Sequence, residues 1–162
     1  MTDIRPSAAF LVRHPAHFIA LGFGAGLAPF APGTFGTLVA LPIALLLWQA
    51  TNSLGFVVVI VLAFAIGVWV SETTGRALQA ADHGAIVWDE VVAFLLVLFF
   101  VGPNPAGIIA GFVLFRFFDI VKPPPIRQLD AMLKNGFGVM IDDVVAAGYT
   151  LLVIALWHRL WN

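Results

Sequence analysis

Cysteine is absent from the 162 residues. That excludes disulfides, thiolate metal sites and a cysteine nucleophile. Charge is scarce as well: charged residues make up 10% of the chain, against about 25% in an ordinary soluble domain. The eight basic and nine acidic side chains leave a formal charge of -1, so no basic field for nucleic acid exists. What fills the chain is hydrocarbon. Hydrophobic residues reach 61%, and the mean hydropathy is +1.01. This composition predicts an integral membrane protein. We expect an all-α membrane helical bundle and a single membrane-embedded domain over residues 1–162. Four or five short spans fit, at about 20 apolar residues each.

Residues 1–17 mix Asp3, Arg5, Arg13, His14 and His17. They lack the pattern of a cleavable signal peptide, so targeting is expected to come from the spans. Residues 16–35 are apolar but broken by Gly22, Gly24, Gly26, Pro29, Pro32 and Gly33. Such density predicts a Gly/Pro-broken re-entrant or interfacial segment, not a straight helix. The GFGAG at 22–26 matches part of a dinucleotide fingerprint but lacks the strand and the later acid, and is set aside. Spans are expected at about 36–50, 56–71, 86–101, 106–121 and 143–160. Trp157 and Trp161 would anchor the last at an interface.

The acidic residues sit at the seams of these runs. No Asp, Glu, Lys or Arg lies between Arg13 and Glu72, between Glu90 and Arg116, or between Asp143 and Arg159. Alternating the spans places the uncharged turns 51–55 and 102–105 on one side. The acidic seams and every Lys and Arg except Arg159 fall on the other. The positive-inside rule makes that charged side cytoplasmic. Grouped carboxylates at a membrane boundary are costly to desolvate and point to a site. With Arg116, Lys122 and Arg127 beside them, they suggest a divalent metal and a phosphate.

Four clusters carry the chemistry. Asp89-Glu90 opens the third span. Adjacent helical residues point about 100° apart, so the two need not serve one metal; N-terminal dipole stabilisation is the plainer account. Arg116, Asp119 and Lys122 stand at i, i+3 and i+6, within about 120° of arc, and would face a common cavity. Arg116 could grip a phosphate bidentately and Lys122 as a point charge. The plainer account is an Arg–Asp pair with a snorkelling lysine. Asp142-Asp143 is expected to open the last span; adjacent carboxylates repel unless a cation or proton relieves them, although N-capping would also explain them. Pro32-Gly33-Thr34-Phe35-Gly36-Thr37 offers bare amides and two threonines at expected cap positions, a phosphate-binding helix start or simply a cap. Asp82 is an outer ligand candidate and Glu72 a weaker one. Asp130 reads as surface, and the sequence alone assigns no role to His14, His17 or His158.

Missing parts exclude several phosphate chemistries. There is no Asp-x-Asp-x-Thr nucleophile, no type-2 phosphatidic acid phosphatase histidine arrangement and no CDP-alcohol phosphotransferase pattern. The segments GFGAGLAPFAPGTFGTL (22–38), DHGAIVWDEVV (82–92), FRFFDIVKPPPI (115–126) and GFGVMIDDVVAA (136–147) together resemble the phosphatidylglycerophosphatase A family. Ala93 departs from it, where glycine is expected. The resemblance implies a Mg²⁺-dependent phosphatase of the bacterial inner membrane. It would act on a phospholipid, removing the terminal phosphate of phosphatidylglycerophosphate to give phosphatidylglycerol. By motif, Asp89, Glu90, Asp119, Asp142 and Asp143 would form the acidic centre that holds metal, with Asp89, Glu90, Asp119 and Asp143 in catalysis. Arg116, Lys122, Thr34 and Thr37 would meet the substrate phosphate. One or two ions, and either metal-bound water or an aspartyl-phosphate on Asp119 or Asp143, remain open. A small cation transporter, a structural membrane subunit, or a phosphatase for another lipid such as phosphatidic acid are the competing readings.

Overall fold

The computed structural model describes residues 5–161, with the side chain of Trp161 outside the described set. Among the described residues the regular structure is helical throughout. Two short helices, α1 (Ala8–Leu11) and α2 (Pro15–Ala20), lead into a 3₁₀ segment, Gly22–Leu27. Five longer helices follow: α3 (Pro32–Ala50), α4 (Ser53–Leu78), α5 (Trp88–Val101), α6 (Pro105–Val121) and, after the short α7 (Ile126–Met132), α8 (Gly136–Trp161). Three of them, α3, α4 and α8, are long and apolar enough to cross a membrane. The 14 residues of α5 are shorter than a span needs when straight, but this helix runs through the centre of the bundle. It packs against α3, α4, α6 and α8 and buries nine side chains, from Trp88 to Leu98.

The two uncharged turns are built alike. Asn52 caps α4 by accepting from the Gly55 amide at 2.8 Å. Asn104 caps α6 by accepting from the Ala106 amide at 3.1 Å, with Pro105 at the first helical position, where no amide is needed. At the other end converge the starts of α3, α5 and α8 and the finishes of α4 and α6.

The glycine-rich N-terminal segment is broken as expected: Gly22, Phe23 and Gly24 all have positive φ. Its use is spatial. A Cβ on Gly26 would collide with the Ala85 carbonyl, and one on Gly22 or Gly36 with Val87. These glycines open a slot through which residues 85–87 enter α5, and the Val87 amide bonds to the Ala20 carbonyl at 2.9 Å. His17, to which the sequence alone assigns no role, is buried with Nδ1 3.0 Å from Thr74 Oγ1.

Three boundaries depart most from the sequence expectation. The first span starts at Pro32, not Gly36; Ala31, in the left-handed region, precedes it. The second runs on to Leu78, so Glu72 lies on a helix, not in a loop. Its apolar pattern fades near residue 71, but Thr74, Gly75 and Leu78 are still buried, and Glu72 and Arg76 pair at i, i+4. The last span starts at Gly136, not Asp143. Gly136 and Gly138 read as a turn in isolation. Here their lack of a Cβ permits contact with Val68 and Leu133, and neighbours satisfy their amides. Trp157 is 60% exposed.

Candidate active site

Three carboxylates meet where α5 and α8 cross. Asp89 and Glu90 come from the first turn of α5, and Asp143 from the second turn of α8. Each offers an oxygen within 4.8 Å of the other two. Asp89 is 7% exposed and Asp143 3%. Asp89 Oδ1, Glu90 Oε2 and Asp143 Oδ2 are buried with no hydrogen-bond partner. Although adjacent on the helix, Asp89 and Glu90 both turn an oxygen towards the same point as Asp143. They do not cap the helix, since Val87 holds the N-cap position with no side-chain bond.

Arg116, projecting from α6, closes one side. Its Nη1 lies 2.7 Å from Asp119 Oδ2, 3.6 Å from Glu90 Oε1 and 3.4 Å from Thr37 Oγ1. Its Nε is buried and unpartnered. Thr37 donates its hydroxyl hydrogen to the Gly33 carbonyl at 2.8 Å, which leaves its oxygen facing Arg116. Gly33 touches the site directly: a Cβ there would collide with Glu90 Oε1. The start of α3 thus forms the roof of the cluster.

Lys122 takes a different course from the expected stripe. Helix α6 ends at Val121, and Lys122 adopts a left-handed conformation (φ 44°) before Pro123. The helical i, i+6 relation to Arg116 is lost. Lys122 turns to α8, where Nζ lies 2.6 Å from Asp142 Oδ2 and 3.7 Å from Asp130. Burial works against the Lys122 ammonium, but the hydrogen bond and charge of Asp142 outweigh it and hold its pKa above the ordinary lysine range. Asp130 is not a bare surface acid, because it also bonds Lys134 at 3.3 Å.

Other candidates fall outside the cluster. Thr34 sits half-buried in the first turn of α3, its amide bonded to the Ala31 carbonyl. Neither threonine is a cap; both lie within the helix. Asp82 is exposed in the turn before α5. Glu72 bonds the Gly136 amide at 2.7 Å instead of approaching the carboxylates. Asp142 and Asp143 lie two turns inside α8, so N-capping does not explain them.

Five carboxylates and two cations leave three unmatched negative charges at this buried end if all ionise. Such a surplus is tolerated only with a bound cation or added protons. The donors are all oxygen, the set that suits a hard divalent ion. The arrangement can therefore hold a metal between Asp89, Glu90 and Asp143 and present Arg116 to an anion beside it.

A family model described as Phosphatidylglycerophosphatase A matches residues 18–158. The chain belongs to the phosphatidylglycerophosphatase A family. It is an enzyme of the phosphoric monoester hydrolase class. A Haemophilus influenzae phosphatidylglycerophosphatase A is 42% identical over 156 residues, covering 95% of each chain. An Escherichia coli phosphatidylglycerophosphatase A is 41% identical over 138 residues, 82% of this chain and 77% of that one. A Bacteroides thetaiotaomicron relative, 38% identical over 85% of this chain and 90% of its own, carries the provisional name phosphatidylinositol-3-phosphatase. No solved structure matches the chain. Within this phosphatidylglycerophosphatase A framework, two structural contributions escaped sequence reasoning. In sequence Gly33 offers an amide, whereas in the fold its missing Cβ is what admits Glu90. In sequence Glu72 is a ligand candidate, whereas in the fold it caps another helix. The run of glycines was the available signal for the first; the second had none.

Proposed function

We propose that this chain removes the terminal phosphate of phosphatidylglycerophosphate to give phosphatidylglycerol, and that it requires Mg²⁺. The observation that carries the reading is the buried Asp89–Glu90–Asp143 cluster, with an unpartnered oxygen on each residue, facing Arg116. The names of the Haemophilus and Escherichia relatives supply the substrate. Asp89, Glu90 and Asp143 would hold the ion. When bound, Mg²⁺ supplies Lewis-acid polarisation of the phosphoryl group and offsets its charge.

The protein's own groups do the rest. Arg116 has a free Nε and a shared Nη1, so it keeps donors to offer the phosphate oxygens as negative charge builds on them. Asp119 holds the guanidinium in place. Lys122 adds a second cation from the α6–α7 turn. A water molecule attacks phosphorus in line and gives up a proton. The ester P–O bond breaks, and the leaving glycerol oxygen takes up a proton. Phosphatidylglycerol and inorganic phosphate result. Exclusion of bulk water by the bundle strengthens each of these electrostatic contacts.

We assign the protein to the bacterial inner membrane with this end towards the cytoplasm. The bundle end that holds the site also carries Arg76, Arg116, Lys122, Arg127 and Lys134, and Arg159 lies at the other end of α8. The cysteine-free sequence permits a direct check. A single cysteine from Arg127→Cys should react with an impermeant maleimide in inverted vesicles, and one from Ser53→Cys in right-side-out cells.

The reaction is tested by phosphate release from phosphatidylglycerophosphate by the detergent-purified protein, with Mg²⁺ and with EDTA. Release that EDTA abolishes and Mg²⁺ restores is the expected result. The Bacteroides relative's name motivates a second substrate arm with phosphatidylinositol-3-phosphate, alongside phosphatidic acid. Faster turnover of either would reassign the substrate; release unaffected by EDTA would remove the metal from the reading.

A further inference from the structure

The last turns of α4 and the first turn of α8 are joined by a clamp outside the carboxylate cluster. Glu72 Oε2 accepts from the Gly136 amide at 2.7 Å. Its Oε1 accepts from Arg76 Nε at 2.8 Å, and Arg76 Nη2 is 2.8 Å from the same oxygen. Both carboxylate oxygens are thereby engaged. The helices approach so closely that a Cβ on Gly136 would collide with the Val68 carbonyl and with Glu72 itself. One turn on, Met140 is fully buried against Gly67, where a Cβ would meet its thioether. Gly136, Met140 and Asp143 stand at i, i+4 and i+7, on one face of α8. The clamp and the acid it precedes share that face, about 10 Å apart along the axis at 1.5 Å per residue.

We infer that Glu72 is a positioning residue, not a metal ligand: by capping α8 it sets the height and rotation at which Asp143 joins Asp89 and Glu90. An unbonded first amide would let the first turn of α8 fray or rotate. Because Asp143 lies two turns away on the same face, a small rotation moves its carboxylate directly. Arg76 contributes by holding the Glu72 side chain in its capping pose, although its own side chain is 79% exposed. The inference rests on the proposed metal site for its consequence, but the clamp itself is independent of that reading.

The test uses the full-length detergent-purified protein and the variants Glu72→Ala, Glu72→Gln, Gly136→Ala and Asp143→Asn. Two readouts are taken: Mn²⁺ binding, from loss of the free-ion EPR signal, and amide hydrogen exchange over residues 136–143. Glu72→Gln keeps a carbonyl oxygen for the Gly136 amide but removes the charge. The expected result is faster exchange and about tenfold weaker Mn²⁺ binding for Glu72→Ala, as for loss of an outer-shell support. Gly136→Ala should weaken binding in the same direction by a separate route. Glu72→Gln should stay within about threefold of the unaltered protein in binding, with slow exchange. Asp143→Asn should lose binding with exchange unchanged. Equal loss for Glu72→Gln and Glu72→Ala would overturn the inference and make Glu72 a ligand by charge. Unaltered exchange and binding in Glu72→Ala would overturn it too. If the unaltered protein bound no Mn²⁺, the proposed metal site would fall, while the exchange arm would still decide the clamp.

Discussion

The chain has two adjacent acid pairs, and the fold treats them differently. Asp89 and Glu90 both enter the carboxylate cluster. Asp142 and Asp143 part company: Asp143 joins that cluster, and Asp142 turns to Lys122 at 2.6 Å. Local sequence does not distinguish the pairs, since each is two acids beside a valine run. The difference lies in what surrounds them. The first pair sits on the central helix, enclosed by α3, α6 and α8, with one cation shared from Arg116. In the second pair Asp142 meets Lys122, which it shares with Asp130, because Pro123 ends α6 and leaves Lys122 facing α8. A buried carboxylate with a cation at hydrogen-bond distance has its charge partly offset; one without must find a metal or a proton.

The largest expected effect breaks the second pair apart. Asp143→Asn should lower kcat on the order of a thousandfold, because it removes a charge from the proposed ion's binding site. Asp142→Asn should cost only about tenfold, as loss of a supporting contact does. Steady-state phosphate release measures both; equal losses would show that the pair acts as a unit. Next in size is Arg116→Lys, where kcat should fall about a hundredfold, since with Nη1 already held by Asp119 and Glu90 only a guanidinium keeps further donors for the phosphate. A variant that kept near-normal turnover would mean Arg116 acts as a point charge.

The Lys122–Asp142 contact supplies the third test. Lys122→Ala should reduce kcat/KM about tenfold. The Lys122→Ala, Asp142→Asn double variant should be no worse than the poorer single variant, because partners in one contact are not additive. Additive losses would show that Lys122 meets the substrate independently of Asp142. The smallest effect is expected at Asp82, which is exposed: Asp82→Asn should stay within about twofold of normal activity at ordinary ionic strength. A larger loss would return Asp82 to the site as an outer ligand.

Much of the fold was legible because membrane chemistry is simple. Spans of apolar residues, uncharged Asn-led turns and acids confined to seams follow from the need to keep charge out of hydrocarbon and backbone groups bonded. Helix ends were less legible. Glycine and proline near residues 32–36 and 136–138 look like breakers by local propensity. Contact with neighbouring helices reversed that preference, because those positions need the close approach that a missing Cβ allows. The same limitation hid the clamp at Glu72, whose partner is 64 positions away in sequence.

By itself, the sequence determined that this protein is an apolar helical bundle, that its acidic seams and every Lys and Arg except Arg159 fall to one side, and that its motifs are those of phosphatidylglycerophosphatase A. Hydropathy and motif order are properties of the chain read in one dimension. The tertiary structure alone decided which carboxylates share a centre, which cation each one meets, and which glycines are spacers. Those outcomes depend on distances of a few ångströms between different helices, where burial and the nearest opposite charge determine whether an acid is satisfied or left for an ion.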